Sequence, residues 1–230
     1  MSASAGRAAI VVLLCAVALA IALRPHGVGL AATGDEEITP EIRAATLDLE
    51  QVRPDDQAWI RAAIAGARPE AQRLIAEIDG LVTIDTRLNA PGTIVLGAPD
   101  QAIGLVRFTS GRADISLDAR ALNGDRALDR NMVVLHELGH VIDFVLVDDE
   151  LMHELDAGIP PAGPCQSFNE DVGPCTAIQE RFADTFAKWA LRGRFSLAGS
   201  GYGVPTPPSL EDWGAPLGRL ALELDARARD

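Results

Sequence analysis

The sequence predicts an α+β fold, in which a small β-sheet and several helices share one core. The chain has 230 residues and 48% of them are hydrophobic, which suits one domain of ordinary size, or one domain plus a targeting segment. Short segments with alternating apolar residues predict strands, and longer segments with apolar residues every three or four positions predict helices. Both kinds of segment occur along the same stretch of chain, so we expect one mixed domain.

The first half of this domain is predicted to contain two helices followed by strands. Residues 57–67 and 69–79 have the helical pattern, with Pro69 at a first helical position and Gly80 ending the second helix. The predicted strands are residues 81–84, 93–96, 103–108 and 113–117, and the last two form a hairpin around the turn at 109–112.

Three further helices are predicted in the second half. A long helix covers residues 125–147 and is strongly apolar. Another covers residues 176–189, where Thr176 opens a capping box and Gly193 suits the position after the helix end. The chain is then rich in glycine and proline, and a short terminal helix is expected only after Pro216.

The amino terminus predicts export. Residues Ala8–Leu23 form an apolar run of 16 residues, shorter than the roughly 20 that a spanning helix needs. We expect residues 1–31 to be a signal peptide cleaved after Ala31, and the alternative is an uncleaved membrane anchor. Either way the remainder is secreted or lies on the extracellular face of the membrane. Residues 32–55 form an acidic lead-in segment, and residues 56–230 form the domain.

Charge and cysteine content narrow the classes of partner. The 33 acidic and 20 basic residues give a formal net charge of −13, which argues against binding to nucleic acid or to anionic lipid. Membrane contact is therefore expected only through residues 8–23, if the signal is not cleaved.

Cys165 and Cys175 remain after signal cleavage, and an even pair in an exported chain predicts a disulfide. The alternative is two free buried thiols.

The long helix contains His136-Glu137-Leu138-Gly139-His140, an HExxH motif. Residues four apart lie on one helix face, so both imidazoles can reach one metal ion. Glu137 lies beside that position, where its carboxylate can take a proton from metal-bound water. Zinc, one ion per chain, is the expected metal. The apolar flanks predict a buried helix, in which these polar groups would be costly without a metal. The alternative is a pair of hydrogen-bonded core histidines.

A third metal ligand must come from elsewhere in the chain. The candidates are His153, Glu170 and Glu180, and the helical segment around Glu180 favours the last. Asp184, four residues on, lies on the same helix face and can accept an N–H from a ligating histidine. The alternative is a solvated acidic helix face, although the small residues nearby favour close packing.

The paired segments HELGHVID and ERFADTFA resemble the gluzincin zinc metallopeptidases and are most similar to the catalytic domain of the anthrax lethal factor-like peptidases. The Glu-x-x-x-Asp pattern is also similar to thermolysin-like enzymes. The resemblance covers roughly Trp59 to Arg192. It implies a zincin-like domain with a small mixed β-sheet packed on the HExxH helix and a C-terminal ligand-bearing helix. It further implies that the strand near Ile115 binds the substrate as an added strand.

The resemblance also assigns roles to the site residues. His136, His140 and Glu180 would bind zinc, Glu137 would be the catalytic base, and Asp184 would support a ligand. The family usually supplies a tyrosine or histidine that stabilises the oxyanion. The candidates for that role are Tyr202, the only tyrosine in the chain, and His153.

These observations predict an exported zinc-dependent metallopeptidase that hydrolyses peptide bonds through a water activated by Glu137 and zinc. The expected partner is a peptide or protein substrate. The alternative is a non-catalytic zincin-like module that serves binding or structure on the cell surface.

Overall fold

Three strands and seven helices form the part of the chain that the computed structural model describes, namely residues 47–91, 102–124, 129–161, 178–196 and 204–228. In chain order these elements are α1 (Pro54–Gly66), α2 (Pro69–Glu77), β1 (Val82–Asp85), β2 (Gly104–Thr109), β3 (Arg112–Leu117), α3 (Ala119–Asn123), α4 (Arg130–Leu146), α5 (Asp149–Ala157), α6 (Ile178–Ala190) and α7 (Leu210–Arg227). All of them belong to one unit of the chain. The predicted α+β class with a small mixed sheet is confirmed.

The sheet has the order β1-β3-β2, with β3 in the centre. β1 pairs with β3 in parallel and β2 pairs with β3 antiparallel. Ser110 and Gly111, which join β2 to β3, have φ angles of 52° and 80°. Positive φ at both central residues is typical of a type I′ hairpin turn. The predicted hairpin is confirmed.

The strand order corrects the expected substrate-binding strand. Ile115 lies on β3, opposite Ile84 of β1 and Val106 of β2. Because β3 is paired along both edges, it has no backbone edge to offer an added strand. β2 lies at one edge of the sheet, and no strand among the described residues pairs with its outer side. The expectation that the strand near Ile115 binds substrate is therefore wrong.

Helix α4, which carries the HExxH motif, runs through the core. It begins at Arg130, later than predicted, because the Asp129 carboxylate accepts hydrogen bonds from the backbone N–H groups of Asn131 and Met132. Six of its apolar side chains are buried as the sequence predicts: Met132, Val134, Leu135, Leu138, Val141 and Ile142. Phe144 departs from this pattern, because it is 46% exposed.

Helix α6 packs against α4 on one side and against α7 on another. Four buried rings form a cluster between α6 and α7, with centroids 5.7 to 6.5 Å apart: Phe182, Phe186, Trp189 and Trp213. The helix is followed by Gly193, whose φ is 70° and whose N–H donates to the Lys188 carbonyl oxygen at 3.0 Å. The glycine predicted to follow the helix end is confirmed.

Two helices differ from the sequence prediction. α5 was not predicted, and it begins where the Asp148 carboxylate accepts the Leu151 N–H. α7 begins at Leu210, before Pro216 rather than after it, with Ser209 as its capping residue. An internal proline costs about 3 kcal/mol. Burial of Trp213 and Leu217 on one face of α7 offsets that cost, so the proline does not end the helix.

None of the helices in the described part of the chain is long and apolar enough to cross a membrane. Several predictions concern residues that lie outside the described ranges and stay predictions: the signal peptide at 1–31, most of the lead-in segment at 32–55, the strand at 93–96, the Thr176 cap, Glu170, Tyr202, and the disulfide of Cys165 and Cys175.

Candidate metal centre

His136 and His140 face the same side of α4, one turn apart. Their rings meet edge to face, with centroids 4.8 Å apart and planes at 87°. The two Nε2 atoms are 3.2 Å apart. His136 is only 6% exposed. The i,i+4 spacing thus aims both imidazoles at one point, as the sequence predicts.

Glu180 completes this group from α6. Its Oε2 atom lies 3.1 Å from Nε2 of His136 and 3.3 Å from Nε2 of His140. Tetrahedral zinc with bonds of about 2.0 to 2.1 Å separates its ligand atoms by about 3.3 Å. The three donor atoms already have this separation, and two imidazoles with one carboxylate are ligands that zinc accepts. His136, His140 and Glu180 therefore form a group that can hold a metal ion.

The close approach of α4 and α6 depends on small residues. Gly139 lies between the two histidines, and a Cβ atom at that position would lie 3.1 Å from Cα of Ala183. Phe186 and the Ala183 carbonyl oxygen are nearly as close. Because these neighbours include backbone atoms, a larger residue at position 139 would push the helices apart. The glycine and the alanine therefore set the separation at which Glu180 reaches both histidines. Because Asp184 is buried and Glu180 contacts both histidines, the alternative of a solvated acidic face is wrong.

Burial and charge oppose each other within the group. Burial alone would raise the pKa of Glu180, but the hydrogen bonds and charges of His136 and His140 hold it well below the usual glutamate value. Burial alone would lower the pKa of His136, but its hydrogen bond to Glu180 and the neighbouring carboxylates raise it. A metal ion and a proton compete for the same nitrogen of His136, so we expect metal binding to weaken as pH falls.

The Glu137 carboxylate lies beside this group, against the start of β2. A Cβ atom on Gly104 would lie 2.5 Å from Cδ of Glu137 and 2.8 Å from its Cγ, so only glycine leaves room for the side chain. Glu137 is 7% exposed, and burial raises its pKa. No described residue donates a hydrogen bond to its carboxylate, which leaves both oxygens able to accept a proton from water.

Asp184 is placed one turn after Glu180 and is almost fully buried. Its negative charge contributes to the raised pKa of His136. Its carboxylate also forms an ion pair with Lys188, which is equally buried and donates a hydrogen bond to the Val204 carbonyl oxygen. The sequence predicted the carboxylate but not its lysine partner.

His153 is not part of the group. It lies on α5, is exposed, and its Nδ1 atom is 2.6 Å from the carbonyl oxygen of Asp149 on the same helix. Of the three candidates for the third ligand, Glu180 lies with the two histidines and His153 does not. Glu170 lies outside the described residues. Gly104 was not foreseen as part of the site. No sequence signal separates it from an ordinary glycine at a strand end.

Comparison of the chain with models of known protein families, with curated proteins and with solved structures gives no match.

Proposed function

We propose that the protein is an exported zinc-dependent metallopeptidase. The observation that carries the proposal is the convergence of His136, His140 and Glu180 beside the buried carboxylate of Glu137. Three protein ligands and one open coordination position are typical of catalytic zinc, whereas structural zinc has four protein ligands. The resemblance of the two helical segments to gluzincins supports a peptide bond as the bond that is cleaved.

His136 and His140 would hold the zinc ion from α4, and Glu180 would hold it from α6. A zinc ion at these residues supplies Lewis acidity, which polarises a carbonyl oxygen and makes water a stronger nucleophile at neutral pH. Asp184, which forms an ion pair with Lys188, would support the ligating histidines. The carboxylate adds negative charge near His136 without itself being a ligand.

Glu137 acts as the general base and then as the general acid. It accepts the proton that a water molecule loses when its oxygen attacks the carbonyl carbon. It then delivers this proton to the leaving nitrogen as the C–N bond breaks, which yields a carboxylic acid and an amine. Burial raises the pKa of Glu137 toward the working pH, which suits a group that must both take and release a proton.

The substrate in this proposal is an extended peptide on the outer edge of β2. Gly104, the first residue of this strand, contacts Glu137, so a chain paired with β2 passes beside the proposed catalytic base. Added strands gain affinity from backbone hydrogen bonds and need no particular sequence for them. This geometry favours unfolded or extended segments over folded proteins.

The test compares zinc-loaded wild type with Glu137→Gln on a reduced, alkylated protein substrate. We expect Glu137→Gln to keep its zinc and to lose peptide cleavage by about 10²- to 10⁴-fold, the usual contribution of a general base. Glu150→Gln, which alters an exposed glutamate on α5, is the matched control and should cleave like wild type.

Two outcomes would count against the proposal. Cleavage by Glu137→Gln at the wild-type rate would contradict the role of Glu137. Stoichiometric zinc without any turnover by wild type would instead support the non-catalytic binding or structural module.

A further inference from the structure

We propose that Phe108 and Phe144 form an apolar subsite that binds one aromatic or large aliphatic side chain of the substrate peptide. This inference rests on the proposed function and specifies its substrate. The two rings stack with centroids 4.1 Å apart and planes at 29°. Phe144 lies one helical turn after His140 and is 46% exposed. Among the described residues only Leu222 is another large apolar side chain with such exposure.

The hydrogen bonds of β3 show which backbone groups of β2 face outward. The backbone N–H of Asp118 donates to the Ile103 carbonyl oxygen, so these two residues form a hydrogen-bonded pair. Along an antiparallel ladder, hydrogen-bonded pairs alternate with pairs that are not hydrogen-bonded. Ala113 lies opposite Phe108, and Leu117 lies opposite Gly104. The N–H of Ala113 and the carbonyl oxygen of Leu117 form their hydrogen bonds on the β1 side of β3 and not with β2. The backbone groups of Gly104, Val106 and Phe108 therefore point to the outer edge.

Positions 104 and 108 of this strand face α4. Gly104 contacts Glu137, and Phe108, on the same strand face, contacts Phe144. The strand covers about 13 Å from Gly104 to Phe108, four steps along the chain, and α4 covers about 10 Å from Glu137 to Phe144. β2 therefore runs alongside α4, from the proposed base to the exposed ring pair.

This arrangement fixes which residue of a bound peptide meets the ring pair. Directly opposed residues of paired strands put their side chains on the same face, with Cβ atoms about 4.5 to 5.5 Å apart. The peptide residue opposite Gly104 lies beside Glu137, where the bond is cleaved. The residue opposite Phe108 lies four positions along the peptide, with its side chain against the two rings. We infer a preference for an aromatic or large aliphatic residue four positions from the cleaved bond, on one side of it.

The size of the exposed surface identifies a single side chain as the occupant. A phenylalanine offers about 150 to 250 Å², so the exposed part of Phe144 amounts to about 100 Å². A stable protein–protein interface needs about 800 Å² from each partner. The ring pair is thus too small to dock another protein by itself, and it adjoins the β2 edge on which the proposed peptide substrate binds.

The first experiment maps cleavage sites by mass spectrometry in a reduced, alkylated protein digested by zinc-loaded wild type and by Phe144→Ser. For wild type we expect about 5- to 10-fold enrichment of aromatic and large aliphatic residues four positions from the cleaved bond, from the usual strength of an aromatic pair. Phe144→Ser should lose this enrichment and keep its zinc. Leu222→Ser, which removes an apolar side chain exposed to 54% on α7, is the matched control and should keep the enrichment.

The second experiment measures binding without turnover. Fluorescein-labelled dodecapeptides of glycine and serine, with or without one phenylalanine, are titrated against zinc-loaded Glu137→Gln. We expect the phenylalanine peptide to bind about 5- to 10-fold more tightly, and Phe144→Ser in the same background to abolish the difference. This result without cleavage by wild type would refute the proposed function and leave the subsite standing.

Three results would overturn the subsite. One is cleavage with no preference four positions away, and another is a preference that Phe144→Ser retains. The third is a dimer in solution that Phe144→Ser converts to monomer, because the ring pair would then be an interface between two copies.

Discussion

Replacing Gly104 with alanine tests whether the start of β2 positions the proposed catalytic base. The added Cβ would lie 2.5 Å from Cδ of Glu137, and carbon atoms pack at about 3.5 Å or more. The carboxyl group must therefore move by about 1 Å. A misplacement of this size at a catalytic group can cost about 10²-fold in rate, equivalent to about 2.7 kcal/mol. We expect kcat on a peptide substrate to fall by about this factor.

Stability and zinc content should not follow the rate. The Glu137 side chain can rotate away from the added methyl group, and glycine in a strand is itself less favourable by roughly 0.5 to 1 kcal/mol. Gly104→Ala should therefore unfold within about 1 kcal/mol of wild type and bind the same amount of zinc. Gly66→Ala, where nothing lies within 4 Å of the added atom, is the matched control. A folded, zinc-loaded Gly104→Ala with the wild-type kcat would refute this reasoning.

Three further predictions concern stability. Burial raises the pKa of Asp143 from 3.8 to about 6, so its ionisation destabilises the folded state as pH rises from about 4 to about 6. In urea titrations of the metal-free protein, Asp143→Asn should raise the unfolding free energy by about 3 kcal/mol near pH 7.5 and hardly at all near pH 4, and an equal effect at both pH values would refute this. A Cβ at Gly214 would overlap the Trp189 indole, so Gly214→Ala should lose at least about 1 to 3 kcal/mol, whereas Gly218→Ala, one turn later with only ordinary contacts, should not; equal melting temperatures would be the contrary result. Lys188→Met leaves the buried carboxylate of Asp184 without its ion-pair partner and should lower the unfolding free energy in urea by about 3 to 5 kcal/mol. A loss below about 1 kcal/mol would show that the ion pair does not stabilise the fold.

The ligand group was predictable because each half of it is encoded locally. His136 and His140 share a helix face through their spacing alone, and the apolar flanks predict that the face is buried. Glu180 and Asp184 repeat this logic on the second helix. Polar groups that are buried in a core need partners. The polar faces of the two helices are therefore expected to meet.

The contacts around the base could not be predicted in the same way. Gly104 meets Glu137 across 33 residues of chain, and neither periodicity nor spacing encodes which strand lies beside which helix. The same limit explains the error at Ile115, since its period-two pattern predicts a strand but not whether that strand lies at the edge of the sheet.

The remaining differences arise from tertiary packing that outweighs local preference. Pro216 is a helix-breaking residue by local rules, yet α7 continues through it because Trp213 and Leu217 are buried on that face. Phe144 belongs to an apolar run that predicts burial, yet its ring is partly exposed. Both departures depend on which neighbouring elements pack against the helix, and the sequence of the helix alone does not encode this.

Metal content tests the central claim most directly. Zinc per folded chain would be measured by mass spectrometry for purified wild type, His136→Ala, Glu180→Ala and, as a control on an exposed glutamate, Glu150→Ala. The structure predicts about one zinc in wild type and in the control and almost none in the other two variants, because three protein ligands are needed. A folded wild type without zinc after zinc is supplied, or a Glu180→Ala variant that retains it, would contradict the three-residue site.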